Sequence, residues 1–148
     1  MDLILWRHAE AIQGGRDRER RLTSKGEKQA KRLGAWLRKR LPPGTKVLVS
    51  PARRAQQTAR ALTTKFRTVA AIDVSASATD LLAAAGWPKG RGAVVVVGHQ
   101  PALGAAAALA MTGIEAGWNI KKGGCWWLAQ RKRDRSIVLC AVISPNLL

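Results

Sequence analysis

Ala93-Val94-Val95-Val96-Val97-Gly98-His99-Gln100-Pro101 is the stretch that decides the fold of this chain. An unbroken apolar run this short, rich in β-branched residues and without polar alternation, reads as a strand covered on both faces, as strands of parallel sheets are. Gly98 closes the run, His99 stands at its carboxyl end, and an alanine-rich stretch from Pro101 to Met111 reads as a helix. Leu3-Ile4-Leu5-Trp6 has the same form and runs into Arg7-His8, and Val47-Leu48-Val49 runs into Ser50. The chain has two histidines, and each directly follows an apolar strand.

Helical patterns fill the intervals. Ala30, Leu33, Trp36-Leu37 and Leu41 recur at three- and four-residue spacing with Lys and Arg between them, which predicts a helix over 24–40. Thr23 or Ser24 can cap it; Glu27, three residues after Ser24, fits a capping box. Pro42-Pro43-Gly44 stops it. A second helix is expected from Pro51 to about Phe66, a weakly patterned strand over Val69–Val74, and a short helix over Thr79–Ala85 ended by Gly86 and Pro88. Cys125–Ala129 and Ile137–Ile143, joined by a basic turn, read as an antiparallel hairpin. The order β-α-β-α-β-α-β-α-β-β predicts an α/β fold, a three-layer α/β/α sandwich around a mostly parallel sheet closed by that hairpin. No repeat or linker divides residues 1–148, so a single domain is expected.

The 148 residues carry 26 Lys+Arg against 9 Asp+Glu, a formal charge of +17. With 47% apolar residues the chain has ample material for a core, which argues against disorder. The longest weakly polar run, Pro101–Met111, falls far short of the roughly 20 residues that cross a bilayer. The N-terminus lacks the form of a signal peptide, so no membrane association and a cytoplasmic location are expected. Cys125 and Cys140 cannot make a disulfide framework and both read as core residues of the hairpin. The basic charge falls in clumps between apolar segments, with no Tyr, one Phe and no zinc spacing. A solvated basic surface fits that pattern better than specific nucleic-acid recognition, leaving nonspecific attraction to nucleic acid at most.

Ligands of open α/β sheets bind beyond the carboxyl ends of the strands. If the strands ending at Trp6, Val49 and Val97 are neighbours, Arg7, His8, Ser50, the Arg53-Arg54 pair and His99 converge at one edge. Like charges so placed repel one another, and an anion relieves the repulsion. Two His without a well-placed carboxylate or thiolate are too few for zinc, and Arg beside them opposes any cation, so no metal and no cofactor are expected.

Five motifs in order carry a family resemblance. Arg7-His8-Ala9-Glu10 resembles the Arg-His-Gly signature of the histidine phosphatase superfamily, the phosphoglycerate-mutase-like fold, with Ala9 in place of the commonest Gly. Arg20-Arg21-Leu22-Thr23-Ser24-Lys25-Gly26 resembles that family's Arg-x-Leu-Thr-x-x-Gly element, and Ser50-Pro51-Ala52-Arg53-Arg54-Ala55-Gln56-Gln57-Thr58 its Ser-Pro-x-x-Arg-Ala-x-x-Thr element. Gly98-His99-Gln100-Pro101 is similar to the second catalytic histidine motif, and Ser144-Pro145-Asn146-Leu147 to the ending of the short SixA-type phosphohistidine phosphatases. The register of the second arginine motif selects Arg54 over Arg53.

The resemblance implies a cofactor-independent hydrolase in which His8 attacks phosphorus and forms a phosphohistidine. Arg7 and Arg54 would hold the phosphoryl oxygens, His99 would donate to them, and Arg20 and Ser50 would assist in binding substrate. His8 must be neutral to attack, and its other ring nitrogen needs a hydrogen-bond acceptor. Larger members supply a carboxylate from an inserted segment to protonate the leaving group. Here only Asp73 and Asp80 lie between the second helix and the Val-rich strand, and Asp80 is the candidate general acid, with helix capping as its alternative role. An imidazole leaves far more readily than an alkoxide, so a missing acid fits phosphohistidine in a protein as substrate. A phosphatase for a small phosphate ester and a non-catalytic phosphate- or nucleic-acid-binding module are the alternatives.

Overall fold

Along the first strand Leu3 and Leu5 point to one side and Ile4 and Trp6 to the other, and all four are fully buried. A strand so patterned needs a helical layer on each face. The computed structural model describes residues 1–148 and supplies both layers. The elements run β1 (Asp2–Arg7), α1 (Ser24–Arg38), β2 (Lys46–Val49), α2 (Arg53–Arg60), β3 (Arg67–Thr68), α3 (Ala78–Ala85), β4 (Ala93–Gly98), α4 (Ala102–Thr112), β5 (Cys125–Gln130) and β6 (Ile137–Ile143). The sheet order is β3-β2-β4-β1-β5-β6. β1, β2, β3 and β4 pair in parallel, whereas β5 runs antiparallel to β1 and to β6. The expected three-layer α/β sandwich is therefore present, with its antiparallel hairpin at one edge.

The crossover rule accounts for the layers. The connections β1 to β2 and β2 to β3 step toward one edge of the sheet, and β3 to β4 steps back, so right-handed crossovers place their helices on opposite faces. Leu33 and Leu37 of α1 and Ala55 and Ala59 of α2 pack on Ile4, Trp6, Val95 and Val97. Leu81 and Leu82 of α3 and Leu103 and Ala106 of α4 pack on Leu3, Leu5, Val94 and Val96.

Several local expectations shift. Thr23 caps α1, its hydroxyl oxygen accepting the Gly26 amide at 2.9 Å, so Glu27 forms no capping box there. The capping box lies instead between Ser77 and Asp80 at the start of α3. The second helix ends at Arg60, well before Phe66, and just past its end the carbonyls of Ala61 and Leu62 accept from the Arg38 guanidinium, the latter at 3.1 Å. No strand forms over the expected 69–74: β3 lies just before it at Arg67–Thr68, and Ala70–Ile72 coil into a 3₁₀ turn that buries Ile72 among the residues of α3 and α4. Cys125 is buried, but Cys140 is exposed. β6 is the edge strand, and a register shift opposite Trp127 and Leu128 leaves Cys140 as the extra residue of a bulge.

Glycine is required where α1 meets the chain after β1. A Cβ at Gly26 would lie 2.0 Å from the Glu10 carbonyl oxygen, a backbone atom that cannot swing aside. Gly26→Ala is accordingly expected to cost about 1–3 kcal/mol of stability through overpacking. Denaturant unfolding measures it, and a loss below about 0.5 kcal/mol, the range of neutral surface changes, would show that α1 can lift freely from Glu10.

Candidate active site

β2, β4 and β1 are adjacent, so Ser50, His99 and Arg7-His8 leave the sheet along one rim. The His8 backbone is held from two sides: its amide donates to Gly98 O at 3.1 Å, and its carbonyl accepts from Gly123 N at 3.1 Å. The Ala9 amide donates to Thr58 Oγ1 at 3.0 Å, and that hydroxyl donates to Arg54 O at 2.7 Å, which ties the loop after β1 to α2. His8, Arg54 and His99 are 8%, 4% and 5% exposed, and the two imidazoles lie 5.2 Å apart.

A carbonyl only accepts, so the 2.8 Å contact of His8 Nδ1 with Ala9 O places the proton on Nδ1. The lone pair is left on Nε2, where Arg54 Nε donates to it at 3.3 Å. Arg54 Nη2 lies 3.5 Å from His99 Nδ1, which must then be unprotonated. His99 Nε2 donates to Ser50 Oγ at 2.8 Å, and the same oxygen accepts the Ala52 amide at 3.2 Å. Ser50 is fully buried, so its hydroxyl orients His99. That hydroxyl can donate as well as accept, so it can support either tautomer of His99, including the one whose Nδ1–H faces an incoming anion.

Burial is the main reason both rings stay neutral. It lowers His8 to about 3, with His99, Arg54 and Arg7 adding repulsion against the Ala9 carbonyl. It lowers His99 to about 4, helped by Arg54 and opposed by Asp73 and Asp17. Burial also lowers Arg7, whose Nη1 donates to Ile120 O at 2.9 Å while its Nε is enclosed without a partner.

His8, Arg54, His99 and Ser50 thus form one hydrogen-bonded group, and Arg7 stands close enough to act on the charge of His8. Arg53, the neighbour passed over by the motif register, is exposed. Arg20 does not join the group directly: it donates to Asp17 Oδ1 at 3.2 Å and to Ile12 O at 3.0 Å. Asp80 hydrogen-bonds to none of these residues; its carboxylate accepts the Ser77 amide at 3.2 Å. Glu10 accepts from Thr23 Oγ1 at 2.8 Å and is structural. No three His, Cys, Asp or Glu side chains converge as a metal site anywhere in the chain.

Sequence reasoning missed Asp17. Its carbonyl accepts from Arg54 Nη1 at 2.7 Å and its carboxylate from Arg54 Nη2 at 3.2 Å. Partial burial acts to raise this carboxyl, but hydrogen bonds and charge from Arg54 and Arg20 together hold it below its ordinary value. It lies in a Gly- and charge-rich loop without periodicity, and nothing in the spacing set it apart from its neighbours.

A model of the histidine phosphatase superfamily (branch 1) matches residues 3–78, which include Arg7, His8, Ser50 and Arg54. The chain belongs to that superfamily. It shares the fold of the protein histidine phosphatase SixA complexed with tungstate, at 21% identity over 100% of both chains and a TM-score of 0.79. A protein from Nakamurella multipartitia assigned as the phosphohistidine phosphatase SixA matches at 26% identity over 97% of this chain and 95% of its own, with a TM-score of 0.76. One from Escherichia coli assigned as an alpha-ribazole-5'-P phosphatase matches at 18% identity over 98% of each chain, with a TM-score of 0.73. No curated protein matches the chain in sequence. As a superfamily member it is a phosphatase, and its fold is phosphoglycerate-mutase-like.

Two measurements test the geometry. With only two histidines, NMR titration of the ring signals is unambiguous, and neither ring should titrate near the ordinary 6.5. The sign for stability follows. The unfolded chain takes up both protons as pH falls through about 6.5, the folded one only near 4 and 3, so stability conferred by the neutral rings is full above 6.5 and declines toward 3. A midpoint near 6.5 for either ring would contradict the burial argument. The second test is Asp17→Asn, which removes a carboxylate that an oxyanion must displace from Arg54. Inorganic phosphate should inhibit this variant more tightly by about two- to fivefold, the worth of a half-exposed ion pair. Weaker inhibition would mean that Asp17 instead holds Arg54 in its binding pose.

Proposed function

We propose that this phosphatase works through a phosphohistidine on His8 and takes its phosphoryl group from phosphohistidine in a protein. The observation that carries the reading is the His8 ring: buried, neutral, its proton fixed on Nδ1, its Nε2 lone pair turned to the Arg54 guanidinium, and the His99 ring 5.2 Å away. In the first step Nε2 forms a bond to phosphorus as the phosphorus–nitrogen bond of the substrate breaks, and the leaving imidazole ends protonated from water. In the second, water adds to the phosphorus on His8, the bond to Nε2 breaks, and inorganic phosphate departs. Overall one water is consumed, one of its protons ending on the substrate imidazole and the other on phosphate.

Arg54 and Arg7 hold the phosphoryl oxygens, and His99 donates to them as charge gathers in the transition state. Ser50 acts through His99, and Arg20 through Asp17 and the loop that carries it. The position of the carboxylates supports an imidazole leaving group. Asp17 is bound to Arg54, Asp73 pairs with Arg18, and Asp80 caps α3, so each carboxylate is already engaged by a partner away from the His8 Nε2 position. The likeness to SixA structures points in the same direction. A small phosphate ester, the second reading, needs one of these carboxyls as an acid.

The test compares His8→Ala with wild type on a phosphohistidine-bearing protein and on an aryl phosphate. His8→Ala should lose at least about 10³-fold in kcat/KM on whichever substrate is used, since a nucleophile has been removed. Wild type should favour the phosphohistidine protein. Undiminished hydrolysis by His8→Ala would end the covalent scheme, and a preference for the aryl ester would shift the substrate to small esters.

A further inference from the structure

Beside the catalytic group lies a cavity of about 620 Å³ in which six of eleven lining residues are cationic: Arg7, Lys25, Lys28, Arg32, Lys121 and Lys122. No carboxylate lines it, and no aliphatic or aromatic side chain apart from Pro145. The ion pairs of this chain are Arg16–Glu19, Arg18–Asp73, Arg20–Asp17 and Arg54–Asp17, so none of the six cavity cations is neutralised. Elsewhere Asp17, Glu19 and Asp73 are each paired with arginine; here cations face one another across a concave wall. Such an arrangement destabilises the chain slightly and attracts anions strongly, because a concave low-dielectric wall focuses the field.

Both walls are fixed to the catalytic centre. Lys25, Lys28 and Arg32 are spaced i, i+3 and i+7 on one face of α1, beginning in its first turn, where the helix dipole also favours an anion. Lys121 and Lys122 sit on the turn that binds the end of β1. The Arg7 amide donates to Gly124 O at 3.0 Å, Gly123 N donates to His8 O, and Arg7 Nη1 donates to Ile120 O. Arg7 is therefore shared: it acts on His8 on one side and lines the cavity on the other.

We propose that this cavity is the docking subsite for an acidic segment flanking the phosphohistidine of the protein substrate. The inference rests on the reading of His8 given above. Four of the five cations beyond Arg7 are lysines, hydrated point charges on flexible stems that suit carboxylates scattered over a protein surface. The fork geometry that selects phosphate is concentrated in Arg7 and Arg54. Without an apolar or aromatic wall the cavity gives no platform for a nucleobase or an acyl chain. Sharing Arg7 sets the order of events: carboxylates dock on the lysines, and the phosphoryl group reaches Arg7 and His8 from the same bound segment.

The experiment uses two synthetic phosphohistidine peptides, one flanked by Asp and Glu and one by Asn and Gln, with the intact protein. At low salt the acidic peptide should be favoured by about tenfold or more in kcat/KM, mainly through KM, and 0.5 M salt should erase most of this, since the Debye length falls from about 10 Å at 0.1 M. Lys121→Glu/Lys122→Glu should bring the ratio of the two peptides to about one or invert it, and Lys25→Gln/Lys28→Gln on the opposite wall should reduce it. A wild-type ratio near one, or a preference that survives both double variants, overturns the docking subsite. Direct binding of an unphosphorylated Asp/Glu peptide separates this from the catalytic reading. Binding that depends on Lys121 and Lys122, with neither phosphopeptide hydrolysed, supports the subsite and rejects the catalytic reading. Tighter lysine-dependent binding of tripolyphosphate or a DNA oligonucleotide than of the acidic peptide overturns the assignment to a protein segment.

Discussion

A buried guanidinium is the constraint from which the rest of the site follows. Arg54 is 4% exposed, and its donors reach His8 Nε2, His99 Nδ1 and both the carbonyl and the carboxylate of Asp17. A buried cation is tolerated only when it is paired and its hydrogen bonds are made. Here the pairing comes from a side chain that is itself more than half exposed and from two imidazoles that can accept only while neutral. The neutrality of His8 and His99 is thus a condition for burying Arg54, and the charge of Arg54 in turn helps to keep them neutral. With Arg7 adjacent, the cluster holds more positive charge than Asp17 offsets, the imbalance on which the proposed phosphoryl site rests.

The sheet makes that cluster possible. β4 enters between β1 and β2 although it follows both in the chain, so three strands from distant parts of the sequence end side by side. Each delivers one residue of the group, and α2, which follows β2 directly, delivers Arg54. The covering layers then fix the rim. Gly26 lets α1 press against the backbone of Glu10, and the Gly123-Gly124 turn binds the backbone of Arg7 and His8. Small shifts at either place would move Nε2 relative to Arg54.

What was legible in the sequence is what depends on pattern. The valine run gave β4, the apolar runs before Arg7 and Ser50 gave β1 and β2, and strand-end logic brought both histidines to one edge. Tertiary contacts decided the rest. α2 stops where Arg38, from another helix, takes a carbonyl near its end, and no local feature of Ala61-Leu62-Thr63 announces it. Ile72 enters the core from a 3₁₀ turn because it lies under α3, so a strand period was the wrong template. Cys140 is exposed because a bulge interrupts the alternation of an edge strand. Asp17 was invisible because it acts through a partner 37 positions away in a loop with no repeat to mark it.

The excess charge, which first suggests nucleic acid, divides into parts with different physical meanings. Arg7 and Arg54 belong to the proposed catalytic group, and Arg18 and Arg20 are paired with Asp73 and Asp17 in the loop beside it. The nine acidic residues are few, and several are placed where they steady that loop and the caps of helices. The cations left without partners include a set on α1 and a set on the turn after Ile120, and the fold turns both toward one cavity beside Arg7. A uniformly basic surface would attract any polyanion. A concave set of unpaired cations beside Arg7 is what the proposed docking of carboxylates and one phosphoryl group together requires.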